Sequence, residues 1–140
     1  MINYFYETTG YVIDEKAIGA WLERVVISEQ KKLGVINYIF CDDEYLLKIN
    51  QDFLNHDTYT DIISFGDCLG NIVAGDIFVS LERVSENAGY YNVKFEEELR
   101  RVVVHGVLHF CGYKDKTKEE ESLMRQKENE KLKMFHVEHL

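Results

Sequence analysis

Proline is absent from all 140 residues, and no glycine- and serine-rich stretch interrupts the chain. With no linker composition and no internal repeat, nothing marks a domain boundary, so residues 1–140 read as a single domain. Cysteine is scarce. Cys41, Cys68 and Cys111 are odd in number and widely spaced, which suits reduced thiols better than a disulfide framework. No apolar run approaches the roughly 18 to 20 residues that cross a bilayer, and the opening stretch from Met1 to Thr8 lacks a basic region followed by an apolar core. A cytoplasmic protein without a membrane partner is therefore expected. Positive charge is also in deficit, because 16 Lys and Arg face 25 Asp and Glu, for a net charge of −9. A domain that holds RNA through general phosphate neutralisation is usually basic, so any contact with RNA here has to be local.

What is present describes a folded domain. Hydrophobic residues make up 46% and charged residues 29%, which excludes a largely disordered chain. The length suffices to bury roughly two-thirds of the unfolded surface without a metal or disulfide as a staple, so a bound ion would be catalytic rather than structural. Hydrophobic periodicity predicts strands at Ile2 to Tyr6 and Val35 to Cys41, with a helix over residues 14–32 between them, capped at Asp14. A helix from Asp42 to Leu54 and a polar loop from Asn55 to Thr60 follow. Strands at Ile62 to Phe65 and Ile72 to Ser80 read as antiparallel across a turn from Gly66 to Asn71. Helices are then expected from Leu81 to about Tyr91, from about Phe95 to Phe110, and from Glu119 to Lys133, the second opening on three glutamates that favour a helix N-terminus. The fold class is thus α+β, a small mixed four-stranded sheet covered by helices.

Residues 105 to 115 carry the chemistry. His105 and His109 stand four apart in an apolar run that begins at Val102, so on a helix of about 3.6 residues per turn both imidazoles leave the same face. Gly112 follows three residues later, where a left-handed glycine ends the helix and turns the chain back, bringing Asp115 toward the open side of the pair. Two imidazoles and one carboxylate suit zinc, with a fourth position left for water. Zincin hydrolases with three protein ligands use this same offset: His, His four on, Gly seven on, third ligand ten on. The competing reading is a buried helix with two satisfied histidines. The glutamate that acts as general base in the protease form of this signature is replaced by Gly106, so peptide hydrolysis by that route is not expected. A glycine there would leave the face beside the metal bare, open to close approach by a substrate backbone. Cys111 reads as a small apolar filler, with metal ligation as its alternative.

The run His105-Gly106-Val107-Leu108-His109, then Gly112-Tyr113, resembles the signature of the YbeY family, bacterial rRNA maturation factors described as metal-dependent endoribonucleases. The resemblance extends upstream. Asn50, Phe53, Asp57, Thr60, Asp61, Ser64 and Phe65 match a family segment that ends in an apolar strand, and Gly75-Asp76-Ile77 resembles the family's Gly-Asp-Ile strand. The implied fold carries the metal on a zincin-like helix against a small mixed sheet. The implied cofactor is one divalent ion, zinc first, and the implied partners are an rRNA precursor with the small ribosomal subunit or its assembly factors.

Two departures qualify that resemblance. The family usually has an arginine after the aromatic at Phe53, where this chain has Leu54. A guanidinium holds phosphate bidentately and leucine cannot, so another cation or the metal has to stabilise charge there. His56 is the nearest candidate, with a turn-stabilising role as its alternative. Secondly, most of the family has histidine where Asp115 stands. The carboxylate lowers the charge of the site by one, which makes a bound water less acidic and moves ion preference toward manganese or iron. Asp61 is a candidate general base, or a cap before a strand. Lys114, Lys116 and Lys118 form either a positive lip beside the metal or an ordinary solvated helix start. The tail from Phe135 to Leu140, with His136 and His139, is expected to fray rather than bind a second ion. Three functions fit these residues: a single-strand-specific endoribonuclease in rRNA maturation and ribosome assembly, an assembly factor that keeps the metal but cuts little, or a metal hydrolase of another substrate.

Overall fold

The computed structural model describes residues 1–56 and 58–138, so Asp57, His139 and Leu140 lie outside the described residues. Strand β1 (Ile2–Tyr6) leads into α1 (Glu15–Ser28), whose first turn is capped by Asp14 accepting from the Ala17 N–H at 3.2 Å. Ile18, Trp21, Leu22, Val25 and Val26 form the buried stripe of α1. The helix stops short of the expected residue 32 because Gln30 turns left-handed (φ 58) and Lys32 is claimed by the sheet, its N–H donating to the Asn71 carbonyl at 2.7 Å. Strand β2 (Lys32–Cys41) therefore starts earlier than its apolar core indicates, with an irregular register between Leu33 and Ile36.

Helix α2 (Asp43–Leu54) begins at the Asp42 cap and leads to β3 (Ile62–Leu69) and β4 (Ile72–Ser80). The sheet order is β1-β2-β4-β3, parallel except for the β3/β4 hairpin. That hairpin pairs as far as Leu69 with Ile72, so the six-residue turn expected from Gly66 to Asn71 contracts to Gly70-Asn71. Gly70 has the positive φ (+65) that a tight hairpin places on its first central residue. Gly66 and Gly75 lie opposite each other, and a Cβ on either would stand 2.8 Å from Cζ of Phe110. These glycines sit inside the ladder because the facing strand's backbone, 2.5–2.7 Å from such a Cβ, and that ring leave no room for a side chain.

Helices α3 (Leu81–Tyr91), α4 (Phe95–Phe110) and α5 (Lys118–Glu138) complete one α+β unit. Helix α4 lies on the sheet face also covered by α1. The Tyr38 hydroxyl donates to the Val103 carbonyl at 2.7 Å, and Gly106 rests against Ile77 and Ile62. Helix α2 covers part of the other face through Leu46, Ile49, Ile63, Phe65 and Phe78. Helix α5 packs outside α1 and α4, where the buried Trp21 indole donates to the Lys131 carbonyl at 2.8 Å. Its end does not fray where expected. Phe135 meets Trp21 edge-on at 5.5 Å between centroids and lies under the Arg100 guanidinium at 4.3 Å, which carries the helix on to Glu138. Among the described residues no helix is long and apolar enough to cross a membrane.

Candidate metal centre

His105 and His109 occupy successive turns of α4, their rings 4.5 Å apart and nearly perpendicular. The helix ends in a Schellman motif: the Gly112 N–H donates to the His109 carbonyl at 3.0 Å and the Tyr113 N–H to the Leu108 carbonyl at 3.1 Å. Gly112 (φ +108) supplies the left-handed residue this motif requires. The reversed chain returns Asp115 to the histidine face, with Oδ2 at 3.1 Å from Nε2 of His105 and 3.3 Å from Nε2 of His109. A tetrahedral ion with bonds of about 2.0–2.1 Å separates its ligand atoms by about 3.3–3.4 Å, so these gaps fit a small divalent cation at the common point of all three groups. One donor atom from each residue lies within 4.8 Å of the others.

The outer nitrogens are occupied in the manner such a site needs. Nδ1 of His109 faces the Tyr113 carbonyl at 2.9 Å, an acceptor only, so that nitrogen carries the proton and Nε2 is left with its lone pair inward. Nδ1 of His105 faces Oε2 of Glu128 at 2.6 Å, which imposes the same tautomer. Glu128 is almost fully buried on α5 and also receives Nη1 of Arg101 at 2.9 Å, while Nη2 of Arg101 donates to Asn129 at 2.9 Å. Burial alone would raise the Glu128 carboxyl, but hydrogen bonds from His105 and Arg101 outweigh it and hold the group below the usual carboxylate range. For His105 burial opposes the charged form, and the Glu128 carboxylate overcomes it, raising the imidazole above its ordinary value.

Beside His105 opens a cavity of about 160 Å³, with Asp61, Asn87, Tyr91, Glu98, Arg101 and Arg125 in its wall. Asp61 enters from the start of β3, held by the Ser80 N–H donating to its carbonyl at 3.0 Å. Burial pushes its carboxyl upward, an effect His105 only partly offsets, and Glu98 across the cavity is raised by burial and by Asp61. On the other side of His105 an open groove of about 610 Å³ runs past Asp115, Lys118, Ser122 and Arg125.

The structure thus brings together His105, His109 and Asp115, and sets Asp61 in the wall beside them. It places His56 elsewhere. That residue is exposed after α2, its N–H donating to the Asn50 carbonyl at 3.1 Å, and it lines neither hollow beside His105. Leu54 is likewise exposed at the end of α2. Gly106 does not bare the metal side of α4. It faces the sheet, where an added Cβ would meet Cδ1 of Ile77 at 2.9 Å and Cδ1 of Ile62 at 3.1 Å, so its role is close helix-to-sheet packing. Glu128 and Arg101 were not legible as site residues. Glu128 lies among ten other charged side chains of α5, and nothing in its spacing separates it from them.

The family profile described as Endoribonuclease YbeY matches residues 4–136. A protein of Flavobacterium johnsoniae named Endoribonuclease YbeY is 61% identical over 138 residues, covering 99% of both chains. Its namesake in Flavobacterium psychrophilum is 58% identical, covering 98% of each, and that of Porphyromonas gingivalis is 46% identical, covering 96% of this chain and 89% of the other. A solution structure of a Thermotoga maritima protein superposes with a TM-score of 0.69 at 29% identity, covering 99% of this chain and 91% of that one. With a profile that spans nearly its whole length and relatives aligned end to end, this chain belongs to the YbeY family.

Proposed function

We propose that residues 1–140 act as one metal-dependent hydrolase domain, an endoribonuclease that cuts single-stranded RNA during rRNA maturation. The observation that carries this reading is the convergence of two Nε2 atoms and one carboxylate oxygen at tetrahedral spacing, with both Nδ1 atoms already held. His105, His109 and Asp115 would hold the ion, zinc by the preference of two imidazoles and a carboxylate. When bound, the ion supplies Lewis acidity, polarising a phosphoryl oxygen and acidifying water. Glu128 keeps His105 oriented and Arg101 keeps Glu128 charged. Asp61, which lines the same cavity as His105, would take a proton from the attacking group and return it to the leaving one. The names of the relatives support RNA as the substrate, and the family resemblance supports an rRNA precursor met in the cytoplasm on the small ribosomal subunit or its assembly factors.

The test is cleavage of a labelled single-stranded RNA by the zinc-loaded protein, alongside metal analysis. Wild type should carry about one ion per chain and cut, and Asp115→Ala should lose both. Cleavage that survives loss of Asp115 and of either histidine would trace the activity to a contaminant and sink the reading. A second reading, an assembly factor that keeps the metal without cutting, is favoured by the net charge of −9 and by Leu54, and predicts a full metal complement with intact RNA.

A further inference from the structure

Arg125 stands apart from the other charged residues near the metal centre. It lines both hollows that flank His105, the smaller cavity and the more open groove, and a third surface hollow further along α5 with Ser122, Asn129 and Lys133. Its side chain is 59% exposed, and its one ion-pair contact in the site, Nη1 to Oε1 of Glu128, is long at 3.5 Å. Glu128 does not need it. That carboxylate already receives Arg101 at 2.9 Å on the same oxygen and His105 at 2.6 Å on the other. An exposed pair of that length stabilises the fold very little. The guanidinium therefore has its fork of donors free for a ligand beside the metal centre.

Arg125 also has company. Lys118 and Ser122 precede it at i−7 and i−3, so all three share one face of α5, and each borders the groove that opens onto His105 and Asp115. The groove wall has one acidic residue of α5 besides Glu128, namely Glu121. Lysine, serine and arginine in a row present two cations and a hydroxyl at about 5–6 Å intervals on a surface whose overall charge is strongly negative. Such an alternation concentrates attraction for a polyanion along one line and leaves the rest of the surface repulsive.

We propose that Lys118, Ser122 and Arg125 form a phosphate-binding subsite on α5 that tracks the RNA backbone away from the metal centre, with Arg125 holding the phosphate nearest the cut. The subsite rests on RNA being the ligand of the proposed function. Arg125 grips through its bidentate fork, Lys118 as a point charge, and Ser122 donates a neutral hydrogen bond between them.

The test uses fluorescence anisotropy of the zinc-loaded full chain with a short single-stranded 2′-O-methyl oligonucleotide, whose length is checked on a gel after each titration so that only uncut probe is scored. Affinity is measured over a range of salt concentrations for wild type, Arg125→Ala, Lys118→Ala and Arg125→Lys, with zinc content recorded for each. Arg125→Ala and Lys118→Ala should each weaken binding about tenfold or less and flatten the plot of log affinity against log salt by about 0.7, the signature of one lost phosphate contact on a single strand. Arg125→Lys should restore the salt slope while recovering only part of the affinity. Unchanged affinity and slope in both alanine variants would overturn the subsite, as would wild type failing to bind the probe. A fall in affinity with no change of slope, or a loss of zinc in Arg125→Ala, would also overturn it by assigning Arg125 to the support of Glu128. Because only uncut probe is scored, absence of cleavage on ordinary RNA would refute the nuclease reading alone and leave the measured salt slopes to judge the subsite.

Discussion

Glu128→Gln isolates what the buried carboxylate of α5 does for the proposed metal ligands. The substitution keeps the shape and removes the charge. In the native site the carboxylate accepts from Nδ1 of His105 at 2.6 Å and from Arg101 at 2.9 Å. Hydrogen bonds to a charged acceptor contribute about 1.5–3 kcal/mol and neutral ones about 0.5–1.5, so the bond to His105 should weaken by about 1–1.5 kcal/mol. The weaker acceptor makes the Nε2 lone pair less basic and orients the ring less firmly. Zinc affinity should consequently fall between about tenfold and a hundredfold, the range in which partners of metal-bound histidines act. The assay is competition with a chromophoric chelator at neutral pH for wild type and variant, with melting of the metal-free proteins measured separately to remove any loss of fold. Arg101 retains Asn129 in the variant, so the metal-free protein should stay folded. Zinc affinity within about twofold of wild type, with melting unchanged, would refute the orienting role. The 2.6 Å contact would then be incidental packing of α5 on α4.

Two further substitutions probe the packing around the site. Gly106→Ala should lower the melting temperature by a few degrees, because overpacking against Ile77 and Ile62 costs about 1–3 kcal/mol and exceeds the gain of about 1 kcal/mol in helix propensity. A variant that melts at or above wild type while losing RNA binding would instead restore the substrate-facing reading of this glycine. Glu29→Gln removes the nearest carboxylate, 2.7 Å from the buried Lys131 ammonium, leaving it Ser28 Oγ at 2.9 Å and Glu130 at 3.6 Å. The substitution should destabilise the fold by about 3 kcal/mol at neutral pH, the low end for a broken buried pair. Burial works to raise the Glu29 carboxyl, but bonds from Lys131 and Tyr113 hold it below its ordinary value. Its contribution is thus complete above the unfolded-state pKa and is lost as pH falls through the lower folded value. The melting curves of wild type and variant should accordingly converge only in acid, below about pH 4.3. A difference that stays constant down to acid pH would show that the ion pair is not its source.

Residues 105 to 115 were legible because their geometry is local. Helical pitch alone sets His109 one turn from His105, and a glycine three residues on needs nothing distant to close the Schellman turn that returns Asp115. The same holds for the Asp14 cap and for the extent of α4, which depend on neighbours in the chain. Strand ends were less legible. Pairing with Ile72, not intrinsic preference, takes Lys32 into β2, and close approach of the β4 backbone and the Phe110 ring explains why Gly66 sits within a strand where a glycine alone suggests a turn. Tertiary packing alone selected Glu128, 23 residues beyond His105, from a helix full of similar charges, and set Asp61 rather than His56 in the wall of the site. The physical reason is range. Hydrogen bonds between residues a few positions apart are written in their spacing, whereas the choice of which buried carboxylate meets which imidazole is made only when α4, α5 and β3 come together and exclude water.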